Sequence, residues 1–263
     1  MIHHHFSGKS LDTLKKEYRR IIASHRCSVT EEDYSRLESR LPWIHELARI
    51  ENRAVSLYDL NRRTFILKVD SHIDLLGFNA KDVDINDIGK YHAMIHVDDL
   101  PFMYDSEIQM YHFLRGIPGN GKKDYKLVYD FRVRNRDGGY IRFLHQLCPF
   151  ELDTRGNSWI LLIISDVLSS YPENGEPLRF IMNTGTRKVH LFHRDMKIAS
   201  DLLTRREKEV LDLVSQGYSS DDIAGRLCVS VHTVNNHRQN ILVKTNTRNL
   251  VQAITFARLI GLL

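Results

Sequence analysis

Cysteine is scarce in this sequence: Cys27, Cys148 and Cys228 are the three thiols in 263 residues. Their wide separation offers neither a disulfide framework nor zinc-ligand spacing, so the fold must rest on an apolar core, and the pattern suits a reducing cytoplasm. Long hydrophobic runs are missing as well. The longest, residues 159–164, has the length of a strand, and a membrane span is not expected. The opening Met1-Ile-His-His-His-Phe lacks the apolar segment and small-residue site of a signal peptide, and its histidines are set aside from the fold. Nor does one sign of charge dominate. A formal net charge of +4 is too mild to announce a nucleic-acid partner by itself. What remains is an ordinary globular composition, 42% apolar and 27% charged, on a chain long enough for two domains.

The distribution of charge is more informative than its total. Between residues 223 and 263 lie Arg226, Arg238, Lys244, Arg248 and Arg258, with no acidic residue. Asp201, Glu207, Glu209, Asp212, Asp221 and Asp222 all fall just before that stretch. Such an end can present a positive face to phosphate while the chain stays soluble.

Residues 10–26 and 31–50 carry helical periodicity. The first has Leu11, Leu14, Tyr18, Ile21 and Ile22 on one stripe, flanked by the basic pairs Lys15-Lys16 and Arg19-Arg20, which read as a solvated face. The second begins at a capping box, Thr30-Glu-Glu-Asp33, and is expected to bury Tyr34, Leu37, Leu41, Ile44 and Leu47, with Pro42 kinking or splitting it. These helices either pack on the domain that follows or form a dimerising arm. From residue 54 the period changes. Strand patterns cover 54–60 and 64–69, then helical patterns 74–77 and 98–115, then strands 125–134, 140–152 and 159–167 joined by Asp137-Gly138-Gly139 and by residues 153–157. This order predicts an α+β domain of antiparallel strands. Residues 169–177 are turn formers, and 178–182 and 188–192 look like one more hairpin, which either enlarges the sheet or docks the two domains.

Leu75-Leu76-Gly77-Phe78, His96-Val-Asp98-Asp99 and Phe131-Arg-Val-Arg-Asn-Arg-Asp137-Gly-Gly-Tyr140 resemble motifs of PAS domains. The resemblance covers roughly 52–170 and implies an antiparallel sheet flanked by short helices.

The last segment announces four helices by their caps: Thr204-Arg-Arg-Glu207, Ser219-Ser-Asp-Asp222, Ser230 and Asn249. Helices two and three are separated by about three residues, the spacing of a helix-turn-helix. In helix three Val234, Ile241 and Leu242 face inward, while Thr233, Asn235, Asn236, Arg238 and Gln239 form an acid-free face. Amides can pair with adenine edges and guanidinium with phosphate or guanine, so this face suits a major groove. Leu203-Thr-x-Arg206-Glu-x-Glu-Val-Leu211, Gly217-x-Ser219, Ile223-Ala224-x-x-Leu227, Thr233-Val234-x-x-His237 and Ile241-Leu-x-Lys244 resemble the LuxR/FixJ-type DNA-binding domain. That resemblance implies helix three in the groove and helix four in a dimer contact. One departure is Asn235, where the family usually has lysine; it puts sequence preference in doubt.

Other constellations carry little. Gly116-x-x-x-x-Gly121-Lys122 has Lys123 where a phosphate-binding loop needs Ser or Thr. His92 and His96 lie beside Asp98 and Asp99, but that stretch already reads as a helix start. His145 and Cys148 face opposite sides of a strand. No enzyme is expected, no cofactor is identified, and no phosphoacceptor arrangement of a receiver domain is evident.

The organisation read from sequence is therefore N-terminal helices at 1–51, a PAS-like sensor domain at 52–170, a linker with hairpin at 171–199 and a helix-turn-helix domain at 200–263. The expected function is cytoplasmic transcription regulation, with double-stranded DNA held by Ser230, Thr233, Asn235, Asn236, Arg238, Gln239 and Lys244. A homodimer is expected through Val251, Ile254, Ala257 and Arg258. The PAS-like domain either takes a small-molecule ligand or serves only dimerisation or protein docking.

Overall fold

The computed structural model describes residues 8–69, 76–78, 88–168, 177–190 and 199–263. The patch expected near 74–77 and the linker at 169–177 lie mostly outside them.

Three helices open the chain. α1 (Leu11–Ser24) starts at Ser10, whose side chain accepts from the Thr13 amide, and it buries Leu14 and Ile21. α2 (Glu31–Glu38) begins with the Thr30–Asp33 capping box, and α3 (Leu41–Ile50) has Pro42 in its first turn. Proline fits a first turn because its missing amide hydrogen has no partner there, so the expected single helix is split at Ser39-Arg40. The break re-aims the second half. Tyr34 and Leu37 are buried, but Leu47 stands 62% exposed beside Trp43 and Ile50, so the expected five-residue core stripe does not run through.

The sheet follows: β1 (Ala54–Asp59), β2 (Thr64–Val69), β3 (Tyr125–Arg134), β4 (Tyr140–Leu152), β5 (Ser158–Val167), β6 (Arg179–Asn183), β7 (Lys188–His190) and β8 (Ala199–Asp201). Its strands are antiparallel and ordered β2-β1-β5-β4-β3-β6-β7-β8. The first five make the PAS-like sheet. The hairpin β6–β7 extends it, with β6 pairing β3 from Tyr125↔Asn183 to Tyr129↔Arg179. Between β2 and β3 lie α4 (Ile88–Met94), which the sequence pattern did not announce, and α5 (Leu100–Arg115). The phosphate-loop lookalike is a 3-10 turn, Gly119–Asp124, leading straight into β3.

α5 and α1 cover one face of the sheet. Leu14, Phe102, Met103, Ile108 and Met110 pack there against Leu127, Phe131, Phe143 and Ile181. α1 is thus part of the sheet domain's own core rather than a free arm. Trp159 packs edge-on to Tyr34, centroids 5.0 Å apart, and the Tyr34 hydroxyl donates to Asp59 at 2.8 Å, which ties α2 to the β1–β5 side.

Buried ion pairs lock the layers. Arg132 forks onto Asp99 at 2.7 and 2.9 Å, holding the start of α5 to β3. Arg142 on β4 pairs with Asp130 on β3, whose other oxygen accepts from the Leu178 amide. Arg179 on β6 donates to Asp105 on α5 at 2.6 Å and lies over the Phe102 ring. Both members of the last pair are 3% exposed, so neither charge can be solvated once the other is removed.

Arg179→Met is therefore expected to destabilise the sheet domain by about 3–5 kcal/mol, and adding Asp105→Asn should recover part of that loss. Urea midpoints of the two single variants and the double variant measure it. Additive effects would mean that the pair does not couple β6 to α5.

Candidate nucleic-acid interface and sheet cavity

The C-terminal head is built by its caps. α6 (Arg205–Ser215) opens with Thr204, whose hydroxyl accepts from the Glu207 amide at 3.3 Å, while the Glu207 carboxylate accepts from the Thr204 amide at 2.7 Å. α7 (Ser220–Leu227) has the same box through Ser219 and Asp222, and it ends at Cys228 in the left-handed region, φ 52°. That reversal places Ser230 as the cap of α8 (Val231–Thr245) and sets the turn between the two helices. Val210, Leu211, Ile223, Ala224, Val234 and Ile241 close the core beneath them, with Ala253 and Ala257 of α9 (Leu250–Leu259).

On the opposite face of α8, Asn235, Asn236 and Gln239 are exposed, and Thr233 and Arg238 are half-buried. Ser220 links the two helices: its hydroxyl receives a hydrogen bond from Arg238 and donates to the Asn235 side-chain Oδ1 at 2.9 Å. The Ser230 hydroxyl accepts from the Thr233 amide at 3.1 Å, so it serves as cap at the same surface. Lys244 sits further along, donating to Glu207 at 2.7 Å. Its charge is engaged inside the head, which the sequence did not reveal.

Of the residues expected in a dimer contact, Val251 is 73% exposed and Arg258 is exposed, while Ile254 is half-buried. Ala257 is fully buried in the head's own core. It belongs to the intramolecular packing, because α9 must turn one face to α6 and α8.

α9 has a second buried face. Phe256 and Ile260 pack on the outer side of the sheet with Val128, Leu144, Phe180, Met182 and Val189. The Phe180 and Phe256 rings lie edge to face, centroids 6.4 Å apart. Lys126 donates to the Ile260 carbonyl at 3.0 Å and to Gln146 at 2.7 Å, and Gln146 donates to the Leu259 carbonyl at 3.1 Å. These are the unsatisfied carbonyls at a helix C-terminus, where a cation and an amide donor are favourable. Burial pushes the Lys126 ammonium down to about 8.

The inner side of the same strands lines a cavity of about 550 Å³ bordered by α1, α4, α5 and the sheet. Tyr129 and His145 face it from β3 and β4, Glu107 from α5, and Tyr18 from α1. Tyr129 donates to Glu107 at 2.7 Å. Burial raises the Glu107 carboxyl, opposed by hydrogen bonds from Tyr129 and Tyr18. Burial drives His145 down to about 3, where its ring meets the Ser165 hydroxyl at 2.9 Å. His92 is driven down to about 4 by burial, with a smaller push from Lys15, and it meets the Tyr104 hydroxyl at 2.8 Å. Both imidazoles are lowered well below physiological pH. Among the described residues no group of three metal-ligating side chains converges.

Glu207 gives the head a defined acid sensitivity. Burial alone would raise its carboxyl, but Lys244 and then the Thr204 amide and hydroxyl outweigh it, so the folded value is lowered. A carboxylate lowered on folding contributes its stability above the unfolded value, about 4.3, and loses it as pH falls through the folded value. Glu207→Gln should lower the head's thermal midpoint at pH 7 and flatten its fall below pH 4. A variant with the wild-type acid profile would show that the charge does not matter.

Residues 201–257 match the family described as bacterial regulatory proteins, luxR family. The chain is 28% identical over 158 residues to the oxygen regulatory protein NreC of Staphylococcus carnosus, covering 59% of this chain and 58% of that protein. It is 39% identical over 57 residues to the response regulator protein VraR of Staphylococcus aureus, covering 22% of this chain and 27% of that one. It thus spans less than two thirds of the length of these relatives. A crystal structure of a phage VqmA–DPO complex aligns over 89% of this chain and 91% of that one, at 19% identity and a TM-score of 0.33. No helix among the described residues is long and apolar enough to cross a membrane. With its capped helix pair, its polar third helix and the match over residues 201–257, the C-terminal head is a helix-turn-helix domain of the luxR family of bacterial regulatory proteins, carried behind a PAS-like sheet.

Proposed function

We propose that the chain is a DNA-binding transcription regulator whose sheet cavity takes a small molecule and whose occupancy controls the C-terminal head. The observation that carries this reading is the use of β3 and β4 on both faces. Tyr129 and His145 line the cavity, while Lys126, Val128, Leu144 and Gln146, on the same two strands, hold α9. A shift of either strand on ligand binding changes the grip on the head without any intervening linker. The cavity volume of about 550 Å³ favours a ligand over a purely docking role, since it falls within the several hundred cubic ångströms of small-molecule sites.

At the DNA, α8 would lie in the major groove. Asn235, Asn236 and Gln239 read base edges, and Ser230, Thr233, Arg238 and Lys244 meet phosphate, with Lys244 exchanging Glu207 for the backbone as it binds. One short helix reads few base pairs, so two heads on two half-sites are the economical solution. Exposed Val251 and Arg258 on α9 and the exposed Trp43, Leu47 and Ile50 on α3 supply apolar and charged surface for a second copy.

Neutralising Arg238 should weaken binding to all duplexes alike and reduce its salt dependence. Asn235→Ala, Asn236→Ala or Gln239→Ala should each relax preference by about 1–3 kcal/mol at one position. Fluorescence anisotropy against a selected palindrome and its scrambled form, with stoichiometry from sedimentation, reads both effects. Unchanged binding across the set, or one chain per palindrome at full affinity, would sink this reading of α8 or of the dimer respectively.

The docking contact makes a second expectation. Phe256→Ala removes a ring from the sheet side of α9, and a buried Phe→Ala change costs about 3–5 kcal/mol. It should loosen the head, raising the radius of gyration in solution scattering and changing duplex affinity. A loosened head with wild-type affinity would separate docking from DNA binding and remove the proposed control.

A further inference from the structure

Among the described residues that line the sheet cavity Glu107 is the one acid, and its setting points to what the cavity takes, given the proposal above that it takes a ligand. Glu107 is set deep in the fold, yet its side chain keeps accessible surface, because that surface faces the cavity. Two phenols, Tyr129 and Tyr18, hydrogen-bond its carboxyl and fix its orientation. Phenols neutralise no charge. Among the described residues no cation forms an ion pair with it. The cations at the cavity wall have other partners: Lys122 donates to the Gly156 carbonyl at 2.6 Å, Arg26 to the Ala23 carbonyl at 2.6 Å, and Lys68 and Arg115 lie over the Phe65 and Tyr111 rings. His92 and His145 are neutral, for the reasons given above. A ligand that brings positive charge to this carboxyl stabilises its ionised form, which burial disfavours and the phenols only partly support.

The remaining wall suits an apolar body. Phe131 and Phe143 join Leu147, Leu161 and Ile163 from the sheet, with Tyr91 from α4 and Met103 from α5. The rings of Tyr129, Phe131 and His145 stand within 5.2–5.6 Å of one another, centroid to centroid, beside the Glu107 contact. Aromatic faces attract cations, and an acid beside them adds a charge-assisted hydrogen bond.

We infer that the cavity binds a compact, largely apolar amine, its nitrogen donating to Glu107 and its hydrocarbon or aromatic body lying among the sheet's inner side chains. An anionic group seated at Glu107 is disfavoured by the same arrangement, because it would meet the carboxyl where its partners among the described residues are phenols. Tyr129 and Tyr18 act as positioning residues. Their hydrogen bonds fix the Glu107 carboxyl, and its charge favours an ammonium over an uncharged hydroxyl.

Three probes of one shape test this on the full chain by calorimetry at about neutral pH, where an alkylammonium is charged: benzylamine, benzyl alcohol and benzoate. Benzylamine should bind at least about tenfold more tightly than benzyl alcohol, the scale of one added charge-assisted hydrogen bond, and benzoate should give no heat. Glu107→Gln keeps the shape and the tyrosine contacts, so it should retain benzyl alcohol while its preference for the amine collapses. Tyr129→Phe, which leaves the acid in place, should lose part of that preference and serves if the first variant does not fold. Equal binding of amine and alcohol to the wild type, or tighter binding of benzoate, would overturn the amine assignment and leave the cavity as a ligand site. Absence of binding by all three probes would overturn the ligand reading itself, and this assignment with it.

Discussion

Successive side chains of a strand point to opposite faces, and in β3 and β4 both faces are buried. That constraint governs the rest of the molecule. The inner face cannot be solvated, so α1, α4 and α5 cover it, and the coverage leaves a cavity rather than a filled core. The outer face cannot be solvated either, and the head covers it through Phe256 and Ile260. An ordinary antiparallel sheet presents one face to water and shows clean apolar–polar alternation. Here the alternation survives in the chemistry but not in the exposure: Lys126 and Gln146 are polar residues whose partners are the carbonyls ending α9.

The charges buried between layers follow from the same geometry. A sheet sandwiched between helices on one side and a helical domain on the other has few positions where arginine and aspartate can reach water. Asp99, Asp105 and Asp130 therefore each take an arginine from a different strand: β3, β6 and β4. A pair of this kind contributes little net stability but penalises misplacement, since a displaced strand strands two charges. β6 is thus fixed in register against β3 by more than its backbone bonds, and the outer surface on which α9 rests inherits that register. Glu107 is the exception in this set: its partners among the described residues are phenols, and it lies on the cavity instead of in a seam.

The sequence was most legible where structure is local. The four head helices follow from Thr204, Ser219, Ser230 and Asn249, because a side-chain cap acts within three residues of itself. The strands at 125–134, 140–152 and 158–167 follow from β-type runs and glycine turns, as does the splitting of α2 from α3 by Pro42. What depended on distant segments was not legible. Leu47 fits a helical stripe, but the break before α3 re-aims it to solvent. α4 has too weak a pattern in seven residues to be seen. Nothing local marks Glu107, whose partners Tyr129 and Tyr18 lie on β3 and α1. Nothing local marks Lys126 and Gln146 either, since their partners at the end of α9 lie 134 and 113 residues away. Lys244 reads as a free phosphate partner, and its bond to Glu207 spans two helices.

The two buried faces of α9 bear on how a second copy could be accommodated. Ala253 and Ala257 face the head's core, and Phe256 and Ile260 face the sheet. Those two demands use roughly half of the helix circumference. Val251, Thr255 and Arg258 lie on what remains, spaced by four and three residues, and all are exposed. Docking on the sheet and contact with another head therefore use different sides of the same helix, and on the proposed reading they need not compete. A dimer joined through this exposed stripe could form while each head is still held on its own sheet. Control by the cavity would then act on the angle between paired heads and not on whether they pair. Lys126 and Gln146 would be the points of transmission, since they join β3 and β4 to the Ile260 and Leu259 carbonyls. A strand shift too small to separate the domains would be enough to re-aim α8.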